Sequence, residues 1–147
     1  MPPFDEDERK SFMERWVAVW NTPTLSTDSL AFYTEDAVLV DKAFDRTYRG
    51  HQELYASFRA TEEVLADIRV TCHDLLIGPA HAVAQLRYDA TVREPFACLP
   101  ESSRGKAFSL SLMCLVEFAE DGRIARGTDV YDRASVLQQL GVLPDSP

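Results

Sequence analysis

The sequence predicts an α+β domain, a cone-shaped, curved antiparallel sheet wrapped around N-terminal helices. Three observations carry this prediction. Helical periodicity fills most of the first 65 residues, four long strand-like stretches follow between residues 67 and 132, and one more helical run closes the chain. Elements segregated in this way give α+β folds, whereas strictly alternating strands and helices give a parallel sheet. A chain of 147 residues fits one domain, residues 1–147, with a sizeable core.

The first helix opens at the acidic run Asp5–Glu8, where negative charge suits the positive end of the helix. Phe12, Met13, Trp16, Val17 and Trp20 recur at helical spacing, and Asn21, Thr22 and Pro23 end the run. Thr27 or Asp28 is expected to cap a short second helix carrying Leu30, Phe32 and Tyr33. Residues 37–41 read as a short strand, 42–49 as a loop, and Gly50 as the lead into a helix over 51–65. Strands are expected over 67–77, 81–94, 107–119 and 123–132. Gly78-Pro79, a Pro/Ser/Gly segment at 95–106, and Glu120-Asp121-Gly122 separate them. The Asp-Gly pair signals a tight hairpin. A final helix over 133–140 is capped by Asp132 and stopped by Gly141, with Pro144 beyond.

A net charge of -9 argues against nucleic acid or an anionic membrane surface as partner, since both require basic patches. Cys72, Cys98 and Cys114 are odd in number and form no CxxC pair, so neither a disulfide framework nor a zinc site is indicated. Cys72 and Cys114 fall in strand-like runs and are expected to be small core residues. His51 and His73 have no second ligand at metal spacing, so no metal site is expected. MPPFDEDERK lacks a basic segment followed by an apolar one, and no apolar run approaches the length of a membrane span. A reducing cytoplasm is the default expectation.

Three charged residues stand out within strand-like runs: Arg87 and Asp89 in LRYDATV, and Asp129 in RGTDVYD. A buried carboxylate is normally paired or hydrogen-bonded. Two aspartates and an arginine could satisfy one another, and an arginine between two carboxylates separates their pKa values, as acid–base chemistry requires. Residues two apart on a strand share a face, which groups Arg87 with Asp89, and Asp129 with Ala125, Gly127 and Tyr131. The small residues of the second group leave room beside Asp129. The competing reading is a structural ion pair at Arg87 and Asp89 lining an inert pocket.

FYTEDAVLVD (32–41), YRGHQEL (48–54), AVAQLRYDATV (82–92) and DGRIARGTDVYDRASVLQQLG (121–141) carry a resemblance to a known family. Over essentially its whole length the chain resembles the SnoaL-like branch of the nuclear transport factor 2-like superfamily, a cystatin-like fold. That branch includes polyketide cyclases and limonene-epoxide hydrolases. The likeness implies a deep apolar pocket at the open end of the cone, a hydrophobic small-molecule substrate, a homodimer through the outer sheet face, and no cofactor.

In limonene-epoxide hydrolase an Arg-x-Asp on a central strand and an Asp on the last strand act together. The matching positions are Arg87, Asp89 and Asp129. The ionised aspartate takes a proton from water, the protonated one gives a proton to the epoxide oxygen, and the arginine bridges them. That family also holds the water with a tyrosine and an asparagine on the first strand. Those positions are Leu39, which forms no hydrogen bond to water, and Asp41, an acceptor when ionised. In the polyketide-cyclase branch an aspartate on the last strand is the acid–base residue, so Asp129 serves either reading.

Trp16 and Trp20 are expected in the core with an edge on the pocket, and residues 95–106 as a flap; Tyr88 and Tyr131 could donate to a substrate oxygen, but strand tyrosines are more often packing residues with a wet tip. The resulting expectation is a cofactor-free enzyme using Asp129, Asp89 and Arg87 for epoxide opening or intramolecular cyclisation. The alternatives are a ketosteroid-isomerase-like isomerase and a non-catalytic ligand-binding or dimerisation module.

Overall fold

A computed structural model describes residues 4–144 of the chain. The terminal residues of the expected domain, 1–3 and 145–147, lie outside that range. The elements are α1 (Glu6–Val19), α2 (Leu25–Asp28), β1 (Tyr33–Asp41), β2 (Arg46–Arg49), α3 (Gly50–Val64), β3 (Leu65–Ile77), β4 (His81–Val92), β5 (Ala107–Phe118), β6 (Ile124–Tyr131) and α4 (Arg133–Gln139). The six strands form one curved sheet in the order β2-β1-β6-β5-β4-β3.

Local chemistry sets most boundaries. The Asp5 carboxylate accepts the Glu8 N–H at 3.1 Å and caps α1, whose first turn carries Glu6, Asp7 and Glu8. Asp132 caps α4 in the same way, accepting from the Ser135 N–H at 3.2 Å. Gly141 ends the last turn with φ +78, a conformation open to glycine.

The region between α1 and α3 differs from expectation. Thr24 stands at the N-terminal end of the short α2 without a side-chain cap and its hydroxyl donates to Asp28, so Asp28 closes that turn instead of starting a helix. A 3-10 turn over Leu30–Phe32 follows, and Tyr33 is the first residue of β1. The expected loop over 42–49 contains the edge strand β2, paired antiparallel to β1 with Asp41 opposite Arg46 and Leu39 opposite Tyr48. β1 runs parallel to β6, the one parallel pairing in the sheet.

The alternation of β4 fixes the two faces of the sheet. Ala82, Ala84, Leu86, Ala90 and Val92 are buried, and they pack with residues of the helices in two apolar clusters. The larger cluster joins Met13, Trp16 and Val17 of α1 to Leu54 and Phe58 of α3; the smaller gathers Leu65, Phe108, Val136 and Leu140. Met113, Leu115, Val130 and Leu76 are exposed on the sheet. Cys114 is buried as expected, but Cys72 is exposed. Residues 71–74 are all exposed around a register shift between Cys72 and Asp74, which takes that thiol out of the core.

Candidate functional site

Two adjoining cavities of about 140 and 350 Å³ lie between the sheet and the helices. Trp20, Asp41, Tyr48, Ser57, Thr61 and Asp129 line both, so Asp129 stands at their junction. The smaller one reaches Trp16, Tyr33, Leu39 and Cys114; the larger one is walled by Tyr88, Phe96, Phe108, Leu110 and Tyr131, among others.

Sheet register places the polar groups. Asp129 of β6 is paired across the ladder with Cys114 of β5 and with Asp41 of β1. Desolvation by the surrounding apolar walls pushes the Asp129 carboxyl up to about 6; the Cys114 thiol, donating to it, pulls the other way, and the nearby charge of Asp41 adds to the rise. Burial in turn pushes the Cys114 thiol well above the ordinary thiol range, so it is a hydrogen-bond donor and not a nucleophile.

The Asp41 carboxylate is fully engaged. It accepts the Phe44 N–H at 3.1 Å, which closes the β1–β2 turn, and the Tyr131 hydroxyl at 2.8 Å. Tyr131 therefore directs its proton at Asp41 and not at a ligand, which fits the packing reading of this strand tyrosine and not the donor one. Tyr33 accepts from the Trp16 indole N–H at 2.8 Å deep in the core. Burial raises the phenols of Tyr33, Tyr88 and Tyr131, so all three stay protonated at neutral pH.

Five of the expected pocket residues, Trp16, Trp20, Leu39, Asp41 and Tyr131, line the cavities, as does Asp129. Arg87 and Asp89 do not join it. On β4 the inward positions are the even-numbered ones, so both side chains point to the outer face, opposite Ser111 and Ser109 of β5. There the Arg87 Nε donates to Asp89 at 3.1 Å, and the Ser109 hydroxyl and then Arg87 hold the Asp89 carboxyl below its usual range. The expected Arg87–Asp89–Asp129 constellation is thus split by the thickness of the sheet.

The space beside Asp129 also differs from expectation. A Cβ on Gly127 would lie 2.8 Å from Leu39 Cδ2, so the missing side chain accommodates Leu39 instead of a ligand. Of the segment expected as a flap, Phe96 and Ala97 line the larger cavity. Their segment is stitched to the sheet end by Arg104, which donates to the Arg93 carbonyl at 2.9 Å and pairs with Glu94 at 2.8 Å. Sequence reasoning missed Tyr48, hidden in an expected loop, and Cys114, whose place beside Asp129 depends on cross-strand register. Among the described residues no group of three or more His, Cys, Asp or Glu is placed to hold a metal ion.

A six-stranded curved sheet, helices on its inner face and an apolar cavity between them define a protein of the nuclear transport factor 2-like class. The family model for SnoaL-like polyketide cyclases matches residues 10–140, and the chain belongs to that family. Solved structures share the fold at low identity. TsrD from Streptomyces laurentii is 24% identical with a TM-score of 0.81, covering 96% of this chain and 100% of that one. A protein of ketosteroid isomerase-like fold from Catenulispora acidiphila is 20% identical with a TM-score of 0.75, covering 92% and 97%. SalBIII, an epoxide hydrolase/cyclase-like enzyme in pyran ring formation in the polyether salinomycin, is 14% identical with a TM-score of 0.73, covering 89% and 95%. No curated protein matches the chain by sequence.

Three outcomes follow from this geometry. A carboxyl raised from 3.8 to about 6 on folding binds its proton more tightly in the native state, so its ionisation opposes folding. The penalty is absent below about pH 4 and fully present above about pH 6, on the order of 2–3 kcal/mol. Asp129→Asn should therefore raise the melting temperature by several degrees at neutral pH and leave it unchanged near pH 4, as read by circular dichroism. Arg87→Gln, which breaks an exposed pair, should shift stability by less than about 1 kcal/mol in urea titrations. Gly127→Ala should clash with Leu39 and lower stability by roughly 1–3 kcal/mol, as urea titrations would show.

Proposed function

We propose that this protein is a small-molecule enzyme that uses Asp129 for acid–base catalysis, without a cofactor, on a ring compound held in the larger cavity. One observation carries the reading. A carboxyl sits at the junction of two mostly apolar cavities with its pKa moved to about 6, so that both protonation states are populated near neutral pH. The aromatic and aliphatic wall of Trp20, Phe96, Phe108 and Leu110 suits an apolar ring system.

The ring closure associated with the family fits a single base better than epoxide hydrolysis does. Arg87 and Asp89 lie on the far face, and Leu39 occupies the position where a hydrolytic water would need a hydrogen-bonding side chain. In this reading ionised Asp129 removes a proton from a carbon next to a carbonyl, and the resulting enolate attacks an electrophilic carbon of the same molecule. Epoxide opening is the second reading, favoured by the adjacent carboxylate of Asp41 and by the likeness to SalBIII. There protonated Asp129 is the acid.

The two readings predict opposite pH profiles. As base, Asp129 gives a rate that rises with pH through about 6 and then levels. As acid, it gives a rate that falls over the same interval. The test is α-hydrogen exchange of 1-tetralone in heavy water, followed by proton NMR, alongside diol formation from indene oxide. The expected outcome is enzyme-dependent exchange that rises through about pH 6 and is lost in Asp129→Asn. Diol formation that falls over that range would favour the epoxide reading. If neither reaction exceeds the buffer rate while ligands still bind, a non-catalytic binding role replaces both.

A further inference from the structure

We infer that Tyr88 is the hydrogen-bond donor that receives a substrate oxygen in the larger cavity, so that the site selects ring compounds bearing a carbonyl next to the carbon that reacts. The inference rests on the reading of Asp129 as the acid–base group and assigns the partner that reading lacks.

The sheet turns Tyr88 inward at the position between Leu86 and Ala90, with Leu110 and Val70 as its cross-strand neighbours. None of these side chains offers a hydrogen bond. The ring is held edge-on against Trp20, with centroids 6.2 Å apart and planes at 72°. Among the described residues the Tyr88 hydroxyl has no hydrogen-bond partner, yet no buried side-chain oxygen or nitrogen is left unsatisfied. The hydroxyl must then open into the cavity that the residue lines. A polar group sealed in an apolar wall without a partner is costly, and an open one is a binding group awaiting an acceptor.

The other phenols are committed elsewhere or lie shallower. Tyr33 accepts from Trp16, Tyr131 donates to Asp41, and half-buried Tyr48 stands on the edge strand β2 beside Arg46 and Asp41. Tyr88 alone combines a free hydroxyl, apolar surroundings and proximity to Asp129. After burial itself, the charge of Asp129 is what raises the Tyr88 phenol, so it remains a donor wherever Asp129 is ionised.

The electron flow balances without a further reagent. Ionised Asp129 takes the proton from the carbon next to the carbonyl, the C–H electron pair becomes the new C=C bond, and the carbonyl π pair moves to oxygen. Tyr88 keeps its proton and donates a hydrogen bond to that oxygen, which is stronger to the anion than to the ketone. A preorganised donor in a low-polarity site acts where charge develops.

The test compares binding of 1-tetralone and tetralin, which differ by the carbonyl alone, to wild type and Tyr88→Phe. At about pH 8 Asp129 is ionised and cannot donate, so any donor to the ketone is another group. The expected result is that wild type binds the ketone roughly three- to tenfold more tightly than the hydrocarbon. The bound carbonyl stretch should also shift to lower frequency in the infrared. Tyr88→Phe should abolish both the preference and the shift while binding tetralin as wild type does, which shows that the fold and cavity are intact. Equal binding of the two probes, or a shifted stretch that survives in Tyr88→Phe, overturns the assignment of Tyr88 and leaves Asp129 untouched. Failure of wild type to bind either probe overturns it together with the larger cavity as the site. For Tyr88→Phe, α-hydrogen exchange should fall at least tenfold with its pH midpoint still near 6, whereas loss of Asp129 removes the pH dependence itself.

Discussion

The site depends on one constraint: a carboxyl group is held where water is scarce. Asp129 has a cysteine on one side and a second aspartate on the other, at matched positions on neighbouring strands. The rest of its surroundings is mostly aromatic and aliphatic, with the hydroxyls of Ser57 and Thr61 also on the cavity walls. A group in such a place is costly to ionise, which weakens the fold at neutral pH and makes the carboxyl an effective proton carrier there. The parallel pairing of β1 with β6 brings Asp41 close enough to reinforce the effect. A fold that ran β1 antiparallel, or one position out of register, would separate the two acids.

Asp41 and Asp129 sit side by side but have different work. Both oxygens of Asp41 accept hydrogen bonds, from the turn at Phe44 and from Tyr131, so its side chain is built into the frame of the pocket. Asp129 has the weak thiol donor of Cys114. The Asp129 carboxyl, raised by burial and less supported by hydrogen bonds, is the one placed to exchange protons with a ligand.

The α+β class, the four long strands and the two capped helices were legible because each rests on local chemistry: periodicity, an Asp-Gly turn, an aspartate before a helical run. The short elements were less so. Thr24 and Asp28 pair with each other within one turn, and β2 becomes a strand only because β1 lies beside it, a non-local condition. That Asp129 and the tryptophans would line a cavity was legible because polar and aromatic residues stand out in strand and helix patterns, whereas Asp41 came only from the family resemblance. Cys114 and Tyr48 were not, since their importance comes from what faces them across the sheet.

The placement of Arg87 and Asp89 shows why strand pattern alone is an unsafe guide to a site. The rule that residues two apart share a face is correct and groups these two, but it does not say which face. In RYD the choice falls between an Arg–Asp pair inside with the tyrosine outside, and the reverse. Apolar neighbours decide it: Leu86, Ala90 and Val92 have the parity of Tyr88 and are buried, whereas Gln85, Arg87 and Asp89 have the other. Burying the Arg–Asp pair would strip water from two charges and expose three apolar side chains, so both burial and desolvation favour the observed face. The choice that sends the arginine to solvent also turns the phenol towards Asp129. One residue of parity thus decides that a neutral phenol, and not a charged Arg–Asp pair, shares the cavity wall with Asp129.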